Sequence, residues 1–379
     1  MYNQIGPLSL LVFQGTSLCN INCSYCYLSP EERSNNKKIS FECVERTITE
    51  LLAGDFVKGH FTVLWHAGEP LVLPIKFYVE AFDRIKALLP VNIQFTFSFQ
   101  TNATLINKEW CQFIKDYDVE VGISLDGPEF INDKYRLDKA GKGTFDKTMR
   151  GITLLREYGI PVNIISVLTT YSLKYPEELF SFFHALDINS LSFNIEEIEG
   201  HNTNPTYQVL HDGQIRQVVT HFFKTFFNLH LKSGKSFKLR EYDIVTQKIL
   251  FTDLQAIKPF DSELTNTYSI ITVDTEGNFS TFSPELISQI DAMGNSLVFG
   301  NVFEENAFTK ALSSEKFKAK YLELQTGIAL CKDNCSYFNV CGGGTPSNKN
   351  SEFGRFDVDE TIYCNLSSKA PIDAFLELV

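Results

Sequence analysis

Apolar residues recur along the chain in two alternating rhythms. Short β-branched or aromatic runs predict six strands: LSLLVFQG (8–15), HFTVLWHAG (60–68), NIQFTFSFQTN (92–102), VEVGISLDG (119–127), PVNIISVLTT (161–170) and SLSFNIEE (190–197). Amphipathic stretches near 40–53, 74–89, 107–117, 144–158, 175–187 and 211–232 predict the helices between and after them. Several strand runs are apolar on both faces, as a parallel sheet covered by helices requires. Six βα units in succession predict an α/β fold, a partial (β/α)6 TIM-like barrel. After about residue 235 the rhythm breaks. YSIITVDTEGNFSTFS there predicts a β-hairpin turning at Glu276-Gly277-Asn278, and a Gly- and Cys-rich tail with little periodicity follows. The pattern divides the chain into a barrel over 1–235, a bridging linker over 236–264 and a smaller C-terminal domain over 265–379.

Charge and composition narrow the partners. A net charge of −12 over 379 residues argues against a nucleic-acid groove or an anionic membrane as partner. No apolar run reaches the roughly 20 residues that span a bilayer, and the first residues, MYNQIGPLSLLVFQGT, lack a signal peptide's basic start and cleavage site. The expectation is a cytoplasmic protein with reduced thiols, where clustered cysteines read as metal ligands before disulfides.

Nine cysteines fall into two groups and two singletons. Cys43 and Cys111 sit in helix-like stretches and read as small buried hydrophobes. Cys19, Cys23 and Cys26 directly follow the first strand, and Cys331, Cys335, Cys341 and Cys364 lie in the tail. The ends of other strands carry His66-Ala67-Gly68-Glu69-Pro70, Gln100-Thr101-Asn102, Ser124-Leu125-Asp126-Gly127-Pro128 and Asn194-Ile195-Glu196-Glu197. A barrel gathers such residues on one rim, at the C-terminal ends of its strands. His66, beside Trp65, reads as a core histidine. A structural zinc site closes with four ligands, and an iron–sulfur cluster is normally held by four thiolates. A cluster held by only three leaves one iron with open coordination, as a catalytic metal site does.

The spacing Cys19-x3-Cys23-x2-Cys26, with Tyr25 before the last cysteine, resembles the radical SAM superfamily over roughly residues 8–235. The resemblance implies a [4Fe–4S] cluster whose open iron is chelated by S-adenosylmethionine (SAM), and a 5′-deoxyadenosyl radical formed from it. Gly68-Glu69-Pro70 resembles the family's GGEP segment, with Ala67 in place of its first glycine. Glu69 would then receive the SAM ammonium, Asn102 and Ser124 the ribose, and Arg150 the carboxylate. The plainer readings are a helix N-terminal acid for Glu69, strand-end caps for Asn102 and Ser124, and a solvated helix face for Arg150.

The tail run Cys331-x3-Cys335-x5-Cys341, with Cys364 downstream, is similar to the SPASM domain over roughly residues 265–379. The usual run is C-x2-C-x5-C-x3-C. Here the first gap is x3, Thr345 stands four residues after Cys341, and the hairpin has no cysteine. The resemblance therefore implies one auxiliary [4Fe–4S] cluster; a zinc knuckle on the same four cysteines is the alternative. FNIEEIEG (193–200), NFSTFSPEL (278–286) and CGGGTPSNKNSEFGRF (341–356) resemble the cyclophane-forming, GRRM-type peptide maturases. That likeness implies a ribosomal precursor peptide as substrate and a flavodoxin- or ferredoxin-type electron donor. It implies a cross-link between an aromatic ring and a side-chain Cβ, with the auxiliary cluster as electron acceptor and Asp126 or Glu196 as base. Thioether formation, epimerisation, Ser or Cys oxidation as in sulfatase maturation, and a non-catalytic iron–sulfur or zinc scaffold remain the rival readings.

Overall fold

The computed structural model describes residues 5–209, 212–250 and 262–379. The six expected strands, β1 (Leu10–Phe13), β2 (His60–Trp65), β3 (Gln94–Thr101), β4 (Glu120–Ser124), β5 (Asn163–Leu168) and β6 (Ser190–Ile195), pair in parallel in chain order. On one side β7 (Lys238–Leu239) adds in parallel to β6. On the other, β8 (Ile270–Val273) pairs in parallel with β1, and β9 (Asn278–Thr281) and β10 (Gly300–Asn301) follow antiparallel. The result is one open sheet in the order β10-β9-β8-β1-β2-β3-β4-β5-β6-β7, the partial barrel that the βα alternation predicts. The hairpin turns where expected, through Gly277 at φ 82°, with Asp274 Oδ1 accepting from the Glu276 and Asn278 N–H groups. Because β8 joins β1, the sheet runs unbroken from the barrel into the C-terminal region.

Among the described residues eight helices cover the barrel: α1 (Phe41–Ala53), α2 (Ile75–Leu88), α3 (Lys108–Tyr117), α4 (Glu129–Tyr135), α5 (Phe145–Glu157), α6 (Pro176–Ala185), α7 (Asp212–Lys232) and α8 (Arg240–Leu250). Residue 211, expected at the start of α7, lies outside the described residues. Their starts follow from local chemistry. Ser40 accepts from the Cys43 N–H at 3.0 Å and Asn107 from the Trp110 N–H at 2.9 Å, each satisfying an orphan donor of a first turn. The aromatic strand faces meet aromatic helix faces: Tyr78 of α2 packs edge-on to Trp65 and Phe99, and Phe82 stacks on Phe97 at 3.7 Å. Cys43 and Cys111 are fully buried in α1 and α3, as small core residues.

Two expectations change. The stretch 236–264 is not simply a linker, because β7 and α8 occupy much of it. Glu241 on α8 accepts from the Phe193 N–H and Arg240 donates to the Phe193 carbonyl, clamping this segment to β6. Within that stretch, residues 251–261 lie outside the described residues. The tail is also more helical than its pattern predicts, with α9 (Ala307–Ser313), the 20-residue α10 (Glu315–Asn334) and several short helices after it. The apolar positions of α10 do not gather on one stripe, so it carries no clear helical period. Among the described residues no helix is long and apolar enough to cross a membrane.

Candidate active site

The loop after β1 is held from both sides. Arg33 donates to the Cys23 carbonyl at 3.1 Å, and the Asn22 and Ser24 N–H groups donate to the Leu137 and Tyr135 carbonyls. Beneath it runs the turn after β2, with Ala67 at φ 71° and Gly68 at φ 54°. A Cβ on Gly68 would lie 2.6 Å from the Leu18 carbonyl oxygen, so only glycine lets the two loops meet this closely. The Glu69 N–H then donates to Leu18 O at 2.9 Å. Cys19, Cys23, Cys26, Tyr25, Gly68, Glu69, Asn102, Ser124 and Glu196 all line one cavity of about 250 Å³ at the C-terminal ends of the strands. A larger trough of about 910 Å³ lies at the opposite ends, by Asn189 and Lys238, and holds none of these residues.

Glu69 is 1% exposed and accepts from the Leu71 N–H (3.0 Å), the Thr101 hydroxyl (2.6 Å) and the Asn102 N–H (2.7 Å). Burial raises its pKa and these donors oppose the shift. Asn102 is braced by Asn20 and Thr104, and Ser124 accepts from Gln100 at 3.0 Å. His66 also lines the cavity; burial lowers its pKa to about 4, leaving it neutral at pH 7. Burial pushes the Cys19 thiol up to about 12 and the Cys23 thiol to about 11, the latter against the pull of Arg136. Binding a metal there must therefore displace protons.

The structure does not bring Arg150 to the cavity. It stands on the exposed face of α5, while Thr148 and Gly151 face inward. The cavity's buried arginines are instead Arg33, which holds the cysteine loop, and Arg136, just past α4, whose Nη1 lies 3.8 Å from Cys23 Sγ. The Arg136 Nε sits 3.1 Å from Asp126 Oδ1, an ion pair in which the N–H is not aligned as a hydrogen bond. Asp126 is 2% exposed and also accepts from the Tyr25 hydroxyl at 2.5 Å and the Val167 N–H at 3.0 Å. It is not itself part of the cavity lining but holds Tyr25 and Arg136, which are. Glu196 does line the cavity, but Thr206 and Asn202 occupy both its oxygens.

Beyond Glu196 the wall continues through Glu197, Glu199 and Glu285, none of them ion-paired among the described residues. Burial and mutual repulsion push Glu197 up to about 8 and hold Glu199 well above the carboxylate range. Gln100 and Glu197 were visible at strand ends. Arg136 and Glu285 carry no local mark, since only the fold brings them to this rim.

In the tail, Cys331 closes α10, Cys335 caps it, and Cys341 and Cys364 approach from two short helices. All four line one cavity. Burial raises the Cys331 thiol to about 11 and also raises Cys364. Among the described residues no three Cys, His, Asp or Glu side chains converge on a single ion position. The thiols stand around a cavity in each site, and a donor set of three and a donor set of four fit two iron–sulfur clusters.

Residues 14–183 match the radical SAM superfamily. The uncharacterized protein sll1766 of Synechocystis is 37% identical over 363 residues, covering 95% of this chain and 89% of that protein. The chain belongs to the radical SAM superfamily, whose enzymes use a [4Fe–4S] cluster and SAM. Its barrel half is 35% identical over 190 residues to a cysteine-type anaerobic sulfatase-maturating enzyme of Clostridium novyi and 32% over 214 residues to a serine-type one of Bacteroides thetaiotaomicron. These matches span about half of those enzymes' length (50% and 51%). By structure, the chain overlays native anSMEcpe with bound AdoMet at a TM-score of 0.76, with 22% identity over 98% of both chains. It overlays Streptococcus suis SuiB bound to precursor peptide SuiA at 0.65, with 16% identity over 95% of this chain and 76% of that one. At those identities the likeness is one of fold.

Proposed function

We propose that this chain modifies a ribosomally made precursor peptide, joining an aromatic ring to a neighbouring side-chain Cβ. The observation that carries the reading is one cavity with the Cys19–Cys26 loop on one wall and, on another, carboxylates that include Glu285 from the C-terminal region. A substrate side chain placed there meets both. Cys19, Cys23 and Cys26 would hold the SAM-binding cluster, and Glu69, Asn102 and Ser124 the SAM, which when bound supplies one-electron chemistry for breaking a C–H bond. Cys331, Cys335, Cys341 and Cys364 would hold one auxiliary [4Fe–4S] cluster, a one-electron acceptor. The chain's own part is positioning. Asp126 fixes Tyr25 and Arg136 around Cys23, and the Glu69 carboxylate is held ready for an ammonium group. Forming the cross-link also releases a proton. The candidates to take it are Asp126 and Glu196, just past the ends of β4 and β6. A flavodoxin- or ferredoxin-type donor in a reducing cytoplasm completes the proposal.

Ser or Cys oxidation is the second reading, favoured by the identity of the barrel half to sulfatase-maturating enzymes. Co-expression with a peptide from a neighbouring reading frame, followed by tandem mass spectrometry, separates the two. A cross-link removes about two daltons per event and blocks fragmentation within the ring. Serine oxidation removes the same mass but leaves an aldehyde that a hydrazide captures. Unchanged mass with an altered stereocentre would mean epimerisation. Absence of SAM cleavage under reducing, oxygen-free conditions would leave only a scaffold.

A further inference from the structure

The tail cavity contains a cation as well as four thiols. Lys349, on the helix Pro346–Phe353, is 2% exposed, lines the cavity and places Nζ 3.8 Å from Cys331 Sγ. A buried ammonium is held where an opposite charge compensates it, yet no carboxylate pairs with Lys349 among the described residues. The two acids nearest in the cavity wall are engaged elsewhere. Glu360 pairs with Lys369 at 2.6 Å, and Asp359 accepts from Asn334 at 2.8 Å. The fold also keeps a slot open for this side chain. A Cβ on Gly327 would lie 2.9 Å from Lys349 Nζ, and one on Gly344 3.4 Å from its Cε.

We propose that Lys349 is a positioning residue for the auxiliary cluster, a buried counter-charge that donates to the Cys331 sulfur and raises the cluster's reduction potential. The inference rests on the assignment of an iron–sulfur cluster to these four cysteines. Four thiolates around such a cluster make a dianion when oxidised and a more negative species when reduced. A fixed cation beside one sulfur favours the more negative form, because net charge and hydrogen bonds to sulfur set these potentials. The effect is one of equilibrium, so it is read without any turnover.

The full-length chain with Cys19, Cys23 and Cys26 all changed to Ala isolates the tail site. Metal analysis after anaerobic reconstitution should find about four iron per chain. Zinc without iron would overturn the cluster assignment itself, and the inference with it. With iron bound, an EPR-monitored redox titration reads Lys349 separately. K349M should keep its iron and shift the midpoint negative by at least a tenfold change in the reduced-to-oxidised ratio, about 59 mV for one electron. K349R, which keeps the charge, should stay near the parent. A midpoint unchanged in K349M, or shifted equally in K349R, overturns the role. Should K349M lose its iron, retention of iron and of the parent midpoint by K349R supports the counter-charge, and loss in both overturns it.

Discussion

At residue scale the turn beneath the cysteine loop shows a cost the chain retains. Ala67 takes φ 71°, a left-handed conformation that costs an L-residue roughly 1–2 kcal/mol, while the next residue is a glycine. Ala67→Gly removes that strain but loosens the unfolded chain, so we expect a net change between zero and about 1 kcal/mol of stabilisation. Thermal melts of the reconstituted protein check it; a clear loss of stability would show that the Ala67 methyl packs more than it strains. Glu197 makes a pH prediction. Its folded pKa of about 8 lies above the ordinary carboxylate value of 4.5, so the folded state binds more protons between those pH values. Stability therefore falls as pH rises from about 4.5 to about 8, and the loss is complete above that window. Glu197→Gln should flatten this slope and stabilise the protein at pH 8 by on the order of 1 kcal/mol or more. Parallel melting curves for the variant and the wild type across that range would count against the assignment.

At the scale of elements, α5 is what presses the end of β3 into the site. Gly151 lets the helix approach so closely that a Cβ there would lie 2.3 Å from the Ala103 carbonyl oxygen. One turn earlier Thr148 donates to the Asn102 carbonyl at 3.0 Å. Gly151→Ala should push α5 outward, destabilise the fold by roughly 1–3 kcal/mol and weaken SAM binding together with it. Denaturant unfolding and SAM titration of the same preparation check both. Unchanged affinity in a destabilised variant would separate the helix from the site. The element boundaries themselves were largely legible, because each barrel strand is a short aromatic or β-branched run and each covering helix has one apolar stripe. The short α4, the stripe-less α10, and α8, which is amphipathic but lies inside the stretch that reads as a linker, needed the fold to define them.

For the whole molecule, the clearest test is metal stoichiometry. Three thiols line one cavity and four line another, while Cys43 and Cys111 are fully buried in helices away from both. Anaerobic reconstitution should give about eight iron and eight sulfide per chain. Alanine at Cys331, Cys335, Cys341 and Cys364 together should lower this to about four, keep SAM cleavage and block product formation. Close to twelve iron in the wild type would reveal a third ligand set. Zinc beside about four iron would make the tail a structural knuckle.

The amino-acid sequence by itself determined the α/β alternation, the two cysteine groups and the residues at the strand ends. Those depend on local periods and short spacings, which survive without knowledge of contacts. It also marked Glu69, whose position two residues after Ala67 ties it to the cysteine loop. It could not separate Arg150 from Arg136, because both are lone arginines and only the packing of α5 turns one outward while the Asp126 carboxylate holds the other inside. Nor could it tell that Asp126 is already engaged on both oxygens, or that Glu285 and Lys349 reach two different cavities. Charge, burial and hydrogen-bond saturation depend on residues distant along the chain, and only the tertiary structure decides which of them meet.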